Sequence, residues 1–409
     1  VSRSGTFLLV LSLGLAPAAA ALDEGPPPTP TPTPAAGPSP SPQEPTPAAP
    51  EPAPAVPETP PPALEPTPPP APTPTLAGAA PQQASNVLNP NISLVGNLVG
   101  VSGGDRSLPD RAFDLSELEL GIQAPIDPYA RADAFIAFTP EGIDIEEGYV
   151  TFLTLARSFN LKVGKFRSNF GKFNRTHPPE TPFADRPIAA ERFFGEEGLA
   201  AVGLSGSYLV PTAFYLNIDA EITTIWDEAP LFGEETTEGE IRSGGRRRDL
   251  GYLFRASTYV DLTERTNGTL GVTFARGVHD PEGELASDAL GVDFTLRWKD
   301  PRRAIYRSFI WQTEGYFTRR EEDSGRDDAF GAFSYAEFQF ARRWRVGLRG
   351  DYVESPEEKG ALAYLTFWPS EFSALSAQGR LIRRPDGRDD YAGFLRLTFN
   401  IGPHGAHPF

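Results

Sequence analysis

A transmembrane antiparallel β-barrel of about sixteen strands is the fold class the sequence predicts, and three observations predict it. From Asn91 onward, apolar and polar residues alternate with period two in segments of roughly ten to fourteen residues. The polar faces of these segments carry charges in mid-strand, as a water-filled lumen permits. The connections alternate between short turns and generally longer polar loops.

The chain before the barrel is different in kind. Arg3, the apolar run Phe7 to Leu15 and the small-residue run Ala16 to Ala21 have the pattern of an export signal over residues 1–21. That run is too short to cross a membrane as a helix, and no later stretch approaches the ~18 apolar residues that a crossing helix needs. Residues 22–85 collapse to Pro, Ala, Thr and Glu. Such a segment cannot bury a core and is expected to be a disordered, extended periplasmic arm. Residues 86–409 are expected to form the barrel. With no cysteine, neither a disulfide framework nor a lipid-bearing cysteine is available. A net charge of −17, with no basic stripe interleaved with aromatics, argues against nucleic acid as a partner.

Alternation is clearest from Asp288 to Lys299, where Leu290, Val292, Phe294, Leu296 and Trp298 oppose Gly291, Asp293, Thr295, Arg297 and Lys299. It recurs in Gly251 to Leu262 and in Thr212 to Thr224. These segments exceed the five to six residues of a typical soluble strand and suit a tilted membrane crossing. Aromatics gather near strand ends (Trp298, Tyr306, Trp311, Phe317, Trp344, Phe367, Trp368, Phe372), as interfacial girdles require. Strands are predicted at about 91–103, 112–124, 128–139, 144–156, 160–173, 198–210, 212–226, 249–262, 268–278, 288–299, 304–318, 329–341, 344–354, 360–368, 372–384 and 391–402. Short turns such as Pro125 to Pro128, Arg157 to Asn160 and Arg342-Arg343 alternate with loops such as Asn174 to Glu197, Asp227 to Asp249 and Arg319 to Asp328. That alternation places short turns in the periplasm and longer loops outside. The last strand directs Leu395, Leu397, Phe399 and Ile401 to lipid and Arg396, Thr398 and Asn400 inward, and the chain closes on Phe409. A final strand ending on an aromatic resembles the signal read by the barrel-insertion machinery, an expected partner.

The third external loop is the longest and mixes charges of both signs with Phe183, Phe193 and Phe194, which a solvated loop does not need. Loops of this length are functional or disordered, and the phenylalanines argue for a packed one. It is expected to fold into the barrel and narrow the pore. The candidate constriction residues are Lys165, Arg167, Lys172, Arg175, His177, Glu180, Asp185, Arg186, Glu191 and Arg192.

The segments Lys165 to His177, Pro182 to Pro187 and Phe193 to Leu199 resemble the porin O/P-like superfamily, which includes the phosphate-selective porins and an uncharacterised branch. The barrel-wide resemblance covers residues 86–409; the motif-level match is confined to this loop and its strands. It implies a sixteen-stranded, trimeric diffusion channel. Phosphate-selective members line the path with Arg and Lys, whereas this loop mixes acids with bases, so phosphate selectivity does not carry over.

The inward faces segregate by sign. Glu117, Glu119, Asp133, Asp219 and Glu221 lie on early strands, whereas Arg345, Arg349, Arg380 and Arg396 lie on late ones. Arg131, Arg255 and Arg297 blur the division. Opposed walls would set up a transverse field; the alternative is a set of mutually compensating lumen charges.

No cofactor, metal site or enzymatic activity is expected. His404 and His407 sit in a Gly/Pro tail, and His177 with Glu180 and Asp185 could at most meet a cation transiently. His279 beside Asp280 is the sole external candidate for a catalytic pair. Arg246 to Arg248, facing the acidic run Glu234 to Glu240, suits a salt-bridged loop or a lipopolysaccharide contact.

The expected function is passive diffusion of small hydrophilic solutes or ions across the outer membrane of a Gram-negative-type bacterium. Outer-membrane lipid and lipopolysaccharide, and a homotrimer of the chain, are the remaining expected partners. The alternative is a non-conducting structural barrel tethering the outer membrane through its Pro-rich arm.

Overall fold

A computed structural model of the chain describes residues 90–104, 111–226, 228–235, 241–242, 248–280, 285–300 and 306–402. The expected signal segment, the Pro-rich arm, the tail histidines His404 and His407, the terminal Phe409, and the stretches 236–240 and 243–247 of the fourth external loop lie outside the described residues.

The described strands are β1 (Asn91–Gly103), β2 (Phe113–Asp127), β3 (Ala130–Phe138), β4 (Ile143–Ala156), β5 (Phe159–Arg167), β6 (Ala200–Leu209), β7 (Tyr215–Thr224), β8 (Glu234–Glu235), β9 (Ile241–Arg242), β10 (Leu250–Thr263), β11 (Thr266–Val278), β12 (Ala286–Lys299), β13 (Ser308–Glu322), β14 (Gly325–Ala341), β15 (Trp344–Val353), β16 (Glu358–Ser370), β17 (Ser373–Arg383) and β18 (Asp389–Ile401). Sixteen of them close into one antiparallel barrel, each pairing with its neighbour in the chain, and β8 with β9 forms a separate two-stranded ladder. β1 pairs with β18 to close it, in a register that sets Gly96 opposite Phe399 and Leu98 opposite Leu397. Gly96 has a steric reason: a Cβ there would lie 2.2 Å from the Phe399 ring, which covers the bare backbone at the seam.

The surface is inverted relative to a water-soluble protein. On β11, Leu270, Val272 and Phe274 are 44%, 43% and 43% exposed, while Thr273 and Ala275, which alternate with them, are fully buried. On β18, Leu395, Leu397 and Ile401 face outward and Arg396 is buried. An apolar exterior over a polar interior follows from period-two alternation in a closed sheet, and it suits a hydrocarbon surround.

All sixteen expected barrel strands are present, and the departures in their ends have causes. β5 stops at Arg167 rather than at Phe173. Beyond it the chain leaves the wall, and Gly171 adopts φ 63°, a left-handed conformation in which a Cβ would meet the Glu314 carboxylate at 2.2 Å. The polar run Arg319 to Asp328, expected as a loop, is instead the end of a hairpin, strand apart from a turn at Asp323-Ser324, with Arg319 paired to Asp328 in register and by a 2.7 Å ion pair. Cross-strand charge pairs of this kind extend a hairpin that hydrophobicity alone does not mark.

Between β5 and β6 the third external connection enters the barrel. It contains single 3-10 turns at Phe173–Arg175 and Pro178–Glu180 and one short helix, α1 (Ile188–Phe194). Pro187 caps α1, and Gly195, at φ 76°, ends it. The helix was not foreseen: seven residues are too few to show a 3.6-residue period.

Candidate functional site

The inward loop is fastened to the wall by polar contacts along its length. Asn174 joins its two ends, donating from Nδ2 to the carbonyls of Ser168 and Leu199 at 2.9 Å and accepting from the Leu199 N–H at 2.8 Å. The Glu314 carboxylate on β13 accepts the N–H groups of Lys172 and Phe173 at 3.1 and 2.7 Å. Arg349 on β15 grips Asp185 with two bonds of 3.0 Å, and Arg380 on β17 adds a third of 2.8 Å. Arg396 on β18 donates to the carbonyls of Pro178, Pro179, Thr181 and Phe183 at 2.6–3.0 Å.

Apolar packing completes the attachment. Phe170, Phe173, Phe183, Ile188, Phe193 and Phe194 from the loop bury against Tyr316, Phe333, Tyr335, Val353, Leu362 and Tyr364 of β13–β16. Phe183 meets Tyr335 edge-on at 5.0 Å, and the Arg349 guanidinium lies 4.5 Å from the Phe183 ring centre. The phenylalanines that mark the loop in the sequence therefore form an apolar seam with one side of the lumen.

The candidate constriction residues separate into two groups. Lys165 and Arg167 belong to β5: Lys165 pairs with Asp144 at 3.2 Å, and Arg167 is buried between Glu146 and Glu197. Lys172, Arg175, His177, Glu180, Asp185, Arg186, Glu191 and Arg192 lie on the inward loop. Arg192 pairs with Glu358 at 2.8 Å, Arg186 donates to the Glu196 carbonyl at 3.1 Å, and Arg175 donates to Asn169 at 3.3 Å. Burial lowers the Arg186 guanidinium to about 10. Burial alone would raise the Asp185 carboxyl, but Arg349 and Arg380 outweigh it and hold it below its ordinary value.

The wall charges are mostly compensated in place. Asp133 pairs with Arg131, Arg255 with Asp293 through bonds of 2.6 and 3.0 Å, and Arg345 with Glu337 at 3.2 Å. Glu221 accepts from the Asn169 N–H and the Ser205 hydroxyl, both at 3.1 Å, while Asp219 accepts from Asn217 at 3.0 Å. Asp293, Glu314 and Asp351 were not singled out from the sequence, yet each holds either a wall arginine or the loop.

On the side of the short turns the loop leaves a cavity of about 850 Å³. Lys172, Arg297, Arg345 and Arg396 line it with Glu180, Glu337 and Glu371. Lys172 lies 3.4 Å from the Thr295 hydroxyl, and burial, then Arg297, lowers its ammonium to about 8.

A second cluster surrounds His177. Its Nδ1 lies 2.7 Å from Glu119 and 2.9 Å from Glu146, and its Nε2 lies 3.0 Å from Glu147. Glu180 and Asp185, the acids expected beside it, have other roles: Glu180 lines the cavity and Asp185 binds Arg349. Glu146 and Glu147 escape a strict alternation rule because β4 bulges there. Ile145 pairs with Ile136 and Glu147 with Phe135, so Glu146 is the extra residue, and both glutamates are buried. Burial disfavours a charged His177, but its hydrogen bonds to Glu119, Glu146 and Glu147 prevail and raise it well above the ordinary imidazole value.

His279 lies 3.0 Å from the Ser287 hydroxyl, while Asp280 accepts the Leu285 N–H at 2.7 Å. Ser287 is fully buried, so this pair presents no nucleophile to a substrate.

No protein-family model matches the chain. An uncharacterized protein of Aquifex aeolicus (strain VF5) is 29% identical over 340 residues, which span 73% of this chain and 70% of that one. Among solved structures, the anion-selective porin from Comamonas acidovorans aligns with a TM-score of 0.52 and 11% identity, covering 76% of this chain and all of the porin. Pseudomonas putida OprB aligns with a TM-score of 0.52 and 11% identity, over 76% of this chain and 94% of OprB. The outer membrane channel DcaP of Acinetobacter baumannii gives 0.50 and 13%, over 76% of this chain and 96% of DcaP. At these identities the likeness is one of fold: the chain's sixteen-stranded barrel aligns with the folds of these porins and channels.

Proposed function

We propose that the protein is an outer-membrane porin, a passive diffusion channel for small hydrophilic solutes or ions. The observation that carries this reading is a closed sixteen-strand barrel with an apolar exterior, a polar interior and a long loop folded inward. The likeness in fold to three porins and channels supports it. Transport on this reading needs neither a cofactor nor an enzymatic step: size, field and hydrogen-bonding groups at the narrowest point decide what passes. The constriction is assigned to the inward loop facing β12–β18, with Lys172, Arg297, Arg345 and Arg396 setting the local field against Glu180 and Glu337. The resemblance of the loop's motifs to those of the porin O/P-like channels supports that branch. The remaining assignments are an export signal at residues 1–21, a periplasmic arm at 22–85, insertion guided by the final strand, lipid and lipopolysaccharide around the wall, and a trimer.

One observation favours a second reading. The aromatic seam between the loop and β13–β16 is apolar and buried, as a structural barrel that does not conduct would need. Planar-bilayer conductance of the refolded protein under a salt gradient separates the two readings. Stable open steps with a reversal potential establish the channel. A correctly folded, heat-modifiable barrel that never opens supports the tether.

A further inference from the structure

The surroundings of His177 pose a problem of charge and of proton count. Glu117, Glu119, Glu146 and Glu147 are all 6% exposed or less, and two basic side chains, Arg167 and His177, lie among them. Four carboxyl groups crowd around one guanidinium and one imidazole in a space closed to water. Glu117 Oε1 is buried and accepts no hydrogen bond. The Phe135 ring, centred 5.0 Å from the imidazole, closes one side.

Both imidazole nitrogens face carboxylate oxygens. Each ring nitrogen can donate at most one proton to them. On Nε2 a proton directed at Glu147 suffices. Nδ1 has two carboxylate oxygens within 2.9 Å, Glu119 Oε2 at 2.7 Å and Glu146 Oε2 at 2.9 Å, and a single proton for them to share.

We propose that His177 Nδ1, Glu119 and Glu146 form a binding site for a divalent transition-metal cation of the zinc type, which ties the inward loop to β2 and β4. The three donor atoms lie within 4.8 Å of one another. Donors about 2.1 Å from a common ion stand roughly 3.0–3.4 Å apart, so shifts of a few tenths of an ångström complete the shell. One imidazole with two carboxylates suits zinc, manganese or nickel better than calcium or magnesium, which prefer all-oxygen shells. The Nε2–Glu147 bond is the outer carboxylate that fixes the tautomer of a metal-bound histidine. Glu117, with its unpartnered oxygen, faces the same space and balances the ion or supplies a fourth donor. This site does not depend on whether the barrel conducts.

The test uses the full chain carrying His404→Ala and His407→Ala, so that tail imidazoles contribute nothing. The protein is folded in detergent, stripped with chelator and checked for heat-modifiable migration. Calorimetric titration with zinc chloride is expected to show one equivalent bound at micromolar or tighter affinity. Glu119→Gln, nearly isosteric and charge-relieving, keeps the fold and weakens binding at least about 100-fold; Glu147→Gln weakens it about 10–100-fold. Cobalt(II) then gives visible ligand-field bands in the parent that disappear in Glu119→Gln. A folded parent that takes up no zinc overturns the proposal, and so does unchanged zinc affinity in Glu119→Gln.

Discussion

Arg349 and Asp185, 164 positions apart in the chain, meet as a two-point ion pair inside the barrel, with 3.0 Å between each guanidinium nitrogen and its carboxylate oxygen. One belongs to the wall and the other to the inward loop. Their side chains are 0% and 9% exposed, so solvent does little to screen them. The position of the loop across the lumen therefore rests on pairs such as this as much as on its own conformation.

Removing the carboxylate should release the loop. Asp185→Asn leaves Arg349 and Arg380 facing a neutral partner, and breaking a buried pair from one side costs about 3–5 kcal/mol. The expected outcome is a lower midpoint of thermal unfolding and noisier single-channel current. A double-mutant cycle with Arg349→Met measures the coupling, and additive effects would contradict a shared contact.

Lys172 confers a pH dependence of definite sign. Its ammonium, normally near 10.5, is lowered to about 8, with Arg297 and Arg175 opposing its charge and Glu314 and Asp293 supporting it. Above about pH 8 the folded protein gives up this proton while the unfolded chain retains it to about 10.5, so this group's contribution to stability rises across that window. The cavity loses a positive charge over the same step. Anion preference, read as reversal potential, should fall between pH 7 and 9.5, and Lys172→Gln should remove the step.

Phe183 lies at the centre of the aromatic seam, against Tyr335, Tyr364 and Phe173. Phe183→Ala is expected to cost about 3–5 kcal/mol in resistance to unfolding. If the seam narrows a conducting path, single-channel conductance also rises. A barrel destabilised by this amount with no change in current would place the path elsewhere.

The inverted surface makes a paired prediction on one strand. Val272→Arg puts a guanidinium in mid-strand on the outer face, where hydrocarbon would meet it at a cost of about 2–4 kcal/mol. Folding yield into lipid vesicles should drop. The control Thr269→Arg lies three residues away on the opposite face by alternation, and equal losses for the two variants would count against a lipid-facing exterior.

Alternation made the barrel legible because each strand buries one face and offers the other to its surroundings, so period two survives in the sequence wherever a strand crosses. Leu290, Leu395 and Leu397 could be assigned to the outer face, and Glu119, Arg349 and Arg396 to the inner, without coordinates. The third loop was legible by its length and by phenylalanines that solvent would not favour. Arg319 to Asp328 was misread because its strand is held by cross-strand ion pairs rather than by an apolar face.

The chain by itself therefore determined the number of strands, their facing and the identity of the inward loop, since these follow from local periodicity and composition. The tertiary structure alone decided the partners. Closure brings Arg396 from the last strand to carbonyls of the third loop, more than 200 positions away, and a bulge in β4 turns both Glu146 and Glu147 toward His177. Pairing across a lumen depends on register and closure, which are properties of the whole sheet, and no single strand encodes them.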